Sequence, residues 1–318
     1  MSALSQIKKT SIYRDFYPIT DIRILKEADK QLRYPRDYIF PLAESAGAIK
    51  LIPKVLIDWW FEHVVGSLKR ADKSVKQEYK RMSYDFIRRK IFHTDYTVLA
   101  GHLLAEKIQP VTLKQSAILC LLHDIGRFEI ITTGPLVIDA DHGYLSGEII
   151  RRDMKRKEIV NVLEKIFNVD EMIEAVSVHS IATYEGKNVF ARFLRDADKT
   201  SLIAEMRGLL KMLHYTIPPE IFWDVSKEVR RSYISEKKIY NESKKTGADM
   251  LIQYISFPFQ FYFPETYNFA ISHKLVHHLV GLYKKYVKNK DEELTREVLK
   301  SLTRGSEATN IDDPMEKE

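Results

Sequence analysis

Along nearly the whole chain apolar residues recur at intervals of three and four rather than two, the period of a helix with one buried face. Glycine and proline, which punctuate strands and tight turns, are sparse, at 12 and 11 of 318 residues. The pattern predicts an all-α protein. Several helix starts can be read locally. Thr112 with Gln115 three residues on makes a capping box before the apolar run from Ala117 to Leu122, and Asn168 with Glu171 makes another before a helix over Met172 to Ala182. Asp139 or Asp141 can cap a helix carrying Leu145, Ile149 and Ile150. In the helix after Thr112 apolar side chains surround the axis, so it should be buried, with His123 and Asp124 closing its C-terminal end inside the core.

This reading divides the chain into four parts. Residues 1–90 form a basic helical extension whose Trp59, Trp60, Phe61, Val64 and Val65 pack against the body. Residues 91–215 form a helical core. Residues 216–303 form a C-terminal helical layer packed on that core, entered through Pro218-Pro219 and broken at Pro258 and Pro264; its aromatic stretch Phe257 to Phe269 reads first as hydrophobic core, with a pocket wall or a subunit interface as the alternatives. The tail 304–318 is polar and acidic and is expected to be disordered.

Charge and cysteine usage narrow the class. The net charge is +6, and the surplus is mainly N-terminal, in Lys69-Arg70, Lys76, Lys80-Arg81 and Arg88-Arg89-Lys90. Such a balance suits an anionic small molecule, although runs of this kind usually solvate helix faces. No aromatic-and-basic module accompanies it, so nucleic acid is not the expected partner. Cys120 is the single cysteine, which excludes an intrachain disulfide and fits a buried thiol in a reducing compartment. Met1 to Thr10 has no apolar core of the signal-peptide kind, and the most apolar stretch, Leu51 to Leu68, is interrupted by Pro53, Lys54, Asp58, Glu62 and His63. The expectation is a cytoplasmic protein with no membrane partner. Homo-oligomerisation stays open.

The chemistry lies in a set of imidazoles and carboxylates in the order His93, His123-Asp124, His142, His179, Asp198. A buried Asp beside a buried His is costly unless something neutralises it. His179 lies on the stripe Met172, Ala175/Val176, His179, Ala182, and His142 leads the stripe His142, Leu145/Ser146, Ile149. Four histidines and two aspartates on inward faces are hard to satisfy without an ion, and neutral imidazole with carboxylate is what a divalent transition metal binds. Periodicity separates Asp196 from Asp198: Leu194, Asp198, Leu202 and Met206 form an apolar ridge, whereas Arg192, Asp196 and Thr200 form a polar one. Asp198 is thus the inward carboxylate, and Asp196 is expected at the surface or behind the ligands. His102, nine residues after His93, falls on the opposite side of an unbroken helix. His63, His214, His273, His277 and His278 read as structural.

Three stretches, His93-Thr94-Asp95-Tyr96-Thr97-Val98 to Leu104-Ala105, Leu121-Leu122-His123-Asp124-Ile125-Gly126-Arg127 and Arg195-Asp196-Ala197-Asp198-Lys199, together resemble the HD-domain superfamily of metal-dependent phosphohydrolases. The resemblance covers about residues 90 to 215 and implies an HD-type helical bundle. It implies that His93, His123, Asp124 and Asp198 bind a first metal. His142, in Asp141-His142-Gly143, and His179, in Val178-His179-Ser180, match the added histidines of branches that hold two metals, with Asp124 bridging. There are departures: the closing motif continues Asp-Lys-Thr where many relatives have a leucine and a further acid. Ser180 stands where the cyclic-dinucleotide phosphodiesterase branch has a second histidine, and only Tyr184-Glu185-Gly186 faintly resembles that branch's glycine-rich signature.

The expected activity is hydrolysis of a nucleotide-like or other small phosphate ester, with one or two ions of manganese, iron, nickel, cobalt or zinc. A divalent metal lowers the pKa of bound water to about 7 and so generates hydroxide at neutral pH. Asp124 is the central catalytic carboxylate, while Arg127 and Lys199 are the expected cations for binding substrate phosphate and completing the electrostatics. Two other readings share the motif: a mixed-valence di-iron oxygenase, and a binding or regulatory module with a vestigial site.

Overall fold

The computed structural model describes residues 41–74, 77–130, 141–181, 183–213 and 220–303. Expectations placed on residues 1–40, the tail 304–318, Asp139, Pro218-Pro219 and His214 lie outside the described residues, as do the side chains of Lys76, Lys80, Arg81 and Arg88. Every regular element among the described residues is helical and no strand occurs, so the protein is all-α. The chain forms two compact units, Met1–Asp198 and Lys199–Glu318.

The first unit contains α1 (Pro41–Ser45), α2 (Lys54–Ser74), α3 (Gln77–Ala105), α4 (Leu113–Leu122), α5 (Ile125–Ile130), α6 (His142–Asp153), α7 (Lys157–Leu163), α8 (Val169–Val178) and the start of α9 (Val189–Leu213). Helix α3 runs through residue 90 without a break, and α9 runs through the division between the units. The capping box at Thr112 forms as read: its hydroxyl accepts from Gln115 N–H while the Gln115 side chain accepts from Thr112 N–H. Asn168 caps α8 by accepting from Asp170 and Glu171, and Asp141 caps α6 through Tyr144 N–H. From Ser116 to Leu122 every residue of α4 is buried, and this helix is the central rod against which α3 packs.

Helix α2 seals one side of the unit. Trp59, Trp60 and Val64 are buried, and Trp60 meets Phe128 of α5 edge to face at 5.5 Å. Burying a side chain of that size stabilises by about 3 kcal/mol. Trp59 Nε1–H donates to Asp153 Oδ2 (2.8 Å), and His63 Nε2 reaches the same oxygen at 2.9 Å, fastening α2 to the end of α6. Asp95, inside the opening motif, serves the fold: its carboxylate accepts the backbone N–H groups of Leu42 and Ala43 and so anchors α1.

The second unit continues along α9 and adds α10 (Lys227–Glu236), α11 (Gly247–Ser256), α12 (Pro264–Ser272), α13 (Leu275–Tyr286) and α14 (Glu292–Lys300). Its core is built on Phe222, Tyr233, Leu251, Ile252, Leu279, Tyr283, Leu294 and Val298. The aromatic stretch contributes Phe257, Phe261 and Tyr267 to that core, as its composition predicts. Among the described residues no helix is long and apolar enough to cross a membrane.

Candidate metal centre

The candidate ligands sit mainly at helix ends, where a side chain can leave one apolar surface and face another. His93 is inside α3, His123 is the C-cap of α4, and Asp124 occupies the turn between α4 and α5. His142 is the first residue of α6, next to its N-cap Asp141, and Asp198 lies on α9. His179 is the C-cap of α8, so that helix ends at Val178 rather than at Ala182 as its stripe suggested.

The six residues gather around Asp124, whose two oxygens face different partners. Oδ2 lies 3.6 Å from Nε2 of both His93 and His123. Oδ1 lies 3.2 Å from His142 Nε2 and 3.6 Å from His179 Nε2. Two trios that can hold a metal ion follow: His93, His123 and Asp124, and Asp124, His142 and His179. Asp198 Oδ1 joins the first trio, 3.0 Å from His93 Nε2 and 3.9 Å from His123 Nε2.

The donor chemistry fits a divalent ion. The Nδ1–H of His123 donates to the Cys120 carbonyl and that of His179 to the Val176 carbonyl, each at 2.7 Å, which leaves the Nε2 lone pairs facing the cluster. Burial pushes the His123 imidazolium down to about pKa 4, against the attraction of Asp124, and holds His142 well below the usual histidine range. Burial opposes ionisation of Asp124, but Lys90, His123 and His142 outweigh it and keep the carboxyl well below its ordinary pKa. Asp198 is lowered too, with the His93 hydrogen bond overcoming its burial. Neutral imidazoles and ionised carboxylates are the ligating forms. Asp124 Oδ1 is buried and accepts no well-formed hydrogen bond, an acceptor left for a cation to satisfy.

Lys90 is the residue that sequence reasoning missed. Its ammonium is 2.6 Å from Asp124 Oδ2, at 12% side-chain exposure, and burial lowers its pKa against the pull of Asp124. In the sequence it is the last member of Arg88-Arg89-Lys90, a run that reads as solvated charge. The signal was its place three residues before His93, on the same helix face. Arg127 lies beside the cluster, its Nε 3.7 Å from Asp124 Oδ1. Each oxygen of Asp124 therefore has one histidine pair and one cation. Lys199 is buried, with its ammonium 5.9 Å from the centroid of the Phe257 ring.

Asp196 requires a correction. Of the two positions expected for it, at the surface or behind the ligands, the surface one is excluded: Asp196 is fully buried, and Arg195, Ala197, Lys199 and Thr200 around it are buried too. Buried residues occur on more than one face of α9 here, so period alone cannot assign exposure. The two carboxylates should still separate in function. Asp198→Asn is expected to lower metal content with little effect on the metal-free melting temperature, whereas Asp196→Asn lowers that temperature and leaves metal content near wild type. Elemental analysis and thermal unfolding in chelator read the two, and the reverse ranking would put Asp196 in the centre.

Of the remaining histidines, His63 belongs to the Asp153 tie, with Nδ1 3.9 Å from Glu129 Oε1, and His273 Nδ1–H donates to the Phe269 carbonyl. His102 is buried on α3 and belongs to neither trio. Compared with known proteins, the chain matches no family model, no curated protein and no solved structure. What stands is a helical protein with a buried His/Asp cluster able to bind metal, loosely compatible with an HD-type site.

Proposed function

We propose that the protein is a metal-dependent phosphohydrolase of HD type, acting on a nucleotide-like or other small phosphate ester. The observation that carries this reading is the sharing of Asp124 between two histidine pairs, with a cation beside each oxygen. His93, His123, Asp124 and Asp198 would hold one ion, and Asp124, His142 and His179 a second. A bound divalent ion would supply Lewis acidity, lowering the pKa of a coordinated water and polarising a phosphoryl oxygen.

The protein's own groups account for the preference for an anion. Asp124 and Asp198 bring two negative charges, and Lys90 and Arg127 bring two positive ones, so the ligand shell is close to balanced before any divalent charge is added. Once loaded, the centre is strongly positive, and low surrounding polarity strengthens its attraction for phosphate. Arg127 can grip two phosphoryl oxygens through its fork, while Lys90 acts as a point charge. Burial favours the neutral imidazoles of His123 and His142, and the Nδ1–H bonds of His123 and His179 aim their Nε2 atoms at the cluster.

The same donors would serve a di-iron oxygenase. One experiment separates the readings. The protein is loaded anaerobically with manganese, cobalt or nickel and given a phosphate-ester panel, then loaded with iron and ascorbate in air. Release of phosphate or nucleotide in the first arm is the expected result. Inactivity there together with oxygen uptake in the second arm would replace the phosphohydrolase with the oxygenase, and inactivity in both arms would favour a regulatory module.

A further inference from the structure

Arg195 stands outside both trios, yet it joins them. It is buried on α9, and its Nη1 donates to three backbone carbonyls at the end of α8: Val178 (2.9 Å), His179 (3.0 Å) and Ile181 (2.7 Å). The last carbonyls of a helix have no partner within it and carry its negative end, so a guanidinium is well placed there. A helix end at the surface could use water or a glycine cap instead. Burying a guanidinium to do this work is costly in desolvation, and what the arrangement adds is a fixed relation between α8 and α9.

That relation bears on the centre. Asp198 follows Arg195 by three residues, on the same face of α9, and belongs to the first trio. His179, whose carbonyl Arg195 holds, belongs to the second. The imidazole itself is tied to the Val176 carbonyl, so its ring is anchored to the α8 backbone and moves with it. We infer that Arg195 is a positioning residue that fixes His179 against Asp124 and thereby decides whether the centre takes a second ion. This rests on the metal-centre reading and is independent of the substrate.

The test uses the full chain as wild type, Arg195→Met, Arg195→Lys, His179→Ala and the double variant Arg195→Met/His179→Ala. Each is titrated with cobalt(II), followed by its visible d–d spectrum and by elemental analysis, with circular dichroism checking the fold. Wild type is expected to take two ions. Arg195→Met should bind the second about 10- to 100-fold more weakly, the usual cost of losing an outer support of a metal ligand, with the first unchanged. Arg195→Lys should fall between the two, and in the His179→Ala background the methionine should cost nothing further.

Equal second-ion affinity in wild type and Arg195→Met would overturn the inference, as would equal weakening of both ions or further loss in the double variant. If the methionine variant does not fold, Arg195→Lys decides: second-ion affinity equal to wild type overturns the inference, and selective weakening supports it. A wild type that takes fewer than two ions would remove the two-ion reading and this inference with it. Two ions bound with equal affinity in both wild type and variant would remove this inference alone.

Discussion

Asp124→Ala is expected to empty the centre of metal altogether. Among the described residues no other side chain serves both trios, with Oδ2 facing His93 and His123 and Oδ1 facing His142 and His179. Elemental analysis after loading and desalting should fall to background, and any hydrolytic activity should fall with it. A second loss should be visible without metal. Lys90 and Asp124 form a buried ion pair, and removing one member leaves the other charge uncompensated, at a cost of about 3–5 kcal/mol. Melting in chelator should therefore drop for Asp124→Ala and recover in part for Asp124→Ala/Lys90→Met, because the double variant no longer buries a lone ammonium. Wild-type metal content in Asp124→Ala would remove the assignment of Asp124 as the shared ligand.

What could be read from the sequence follows from how local each determinant is. The helical class, the Thr112 box and the Asp141 cap depend on residues within one turn of each other, and all three appear as expected. The candidate cluster was legible because imidazoles and carboxylates on apolar faces conflict with burial unless something resolves them. What could not be read depends on distant partners. Helix α8 stops at Val178, where Arg195 of another helix bonds the free carbonyls, and no glycine or proline marks the stop. The burial of Asp196 depends on what surrounds α9, and helical period reports only which residues share a face. Lys90 was hidden by its company, since a basic run suggests solvent while one register position within it faces the core. The division of Asp124 between two partners is a matter of ångströms, and no pattern of residue types encodes it.

The second large effect should come from a residue that ligates nothing. Gly126 follows Asp124 by two positions and lies where α5 crosses α6. A Cβ there would sit 2.5 Å from the His142 carbonyl oxygen and 2.7 Å from the Ser146 nitrogen, both backbone atoms that no rotamer change can move aside. Gly126 N–H also donates to Ser146 Oγ, which in turn donates to the His142 carbonyl, so the crossing is held tight by hydrogen bonds as well as by shape. Gly126→Ala should force the two helices apart and cost about 1–3 kcal/mol, the usual penalty for overpacking a close contact. The displacement acts on the separation of Asp124 from His142, so, on the two-ion reading proposed above, the second ion should be lost while the His93, His123 and Asp198 side keeps the first. Gly281→Ala is the control. A Cβ at that exposed position of α13 meets nothing within 4 Å, and replacing glycine inside a helix should stabilise by about 0.5–1 kcal/mol without altering metal content. Metal stoichiometry and melting temperature measured side by side decide the matter, and a Gly126→Ala protein that still binds two ions would show that the crossing does not set the geometry of the centre.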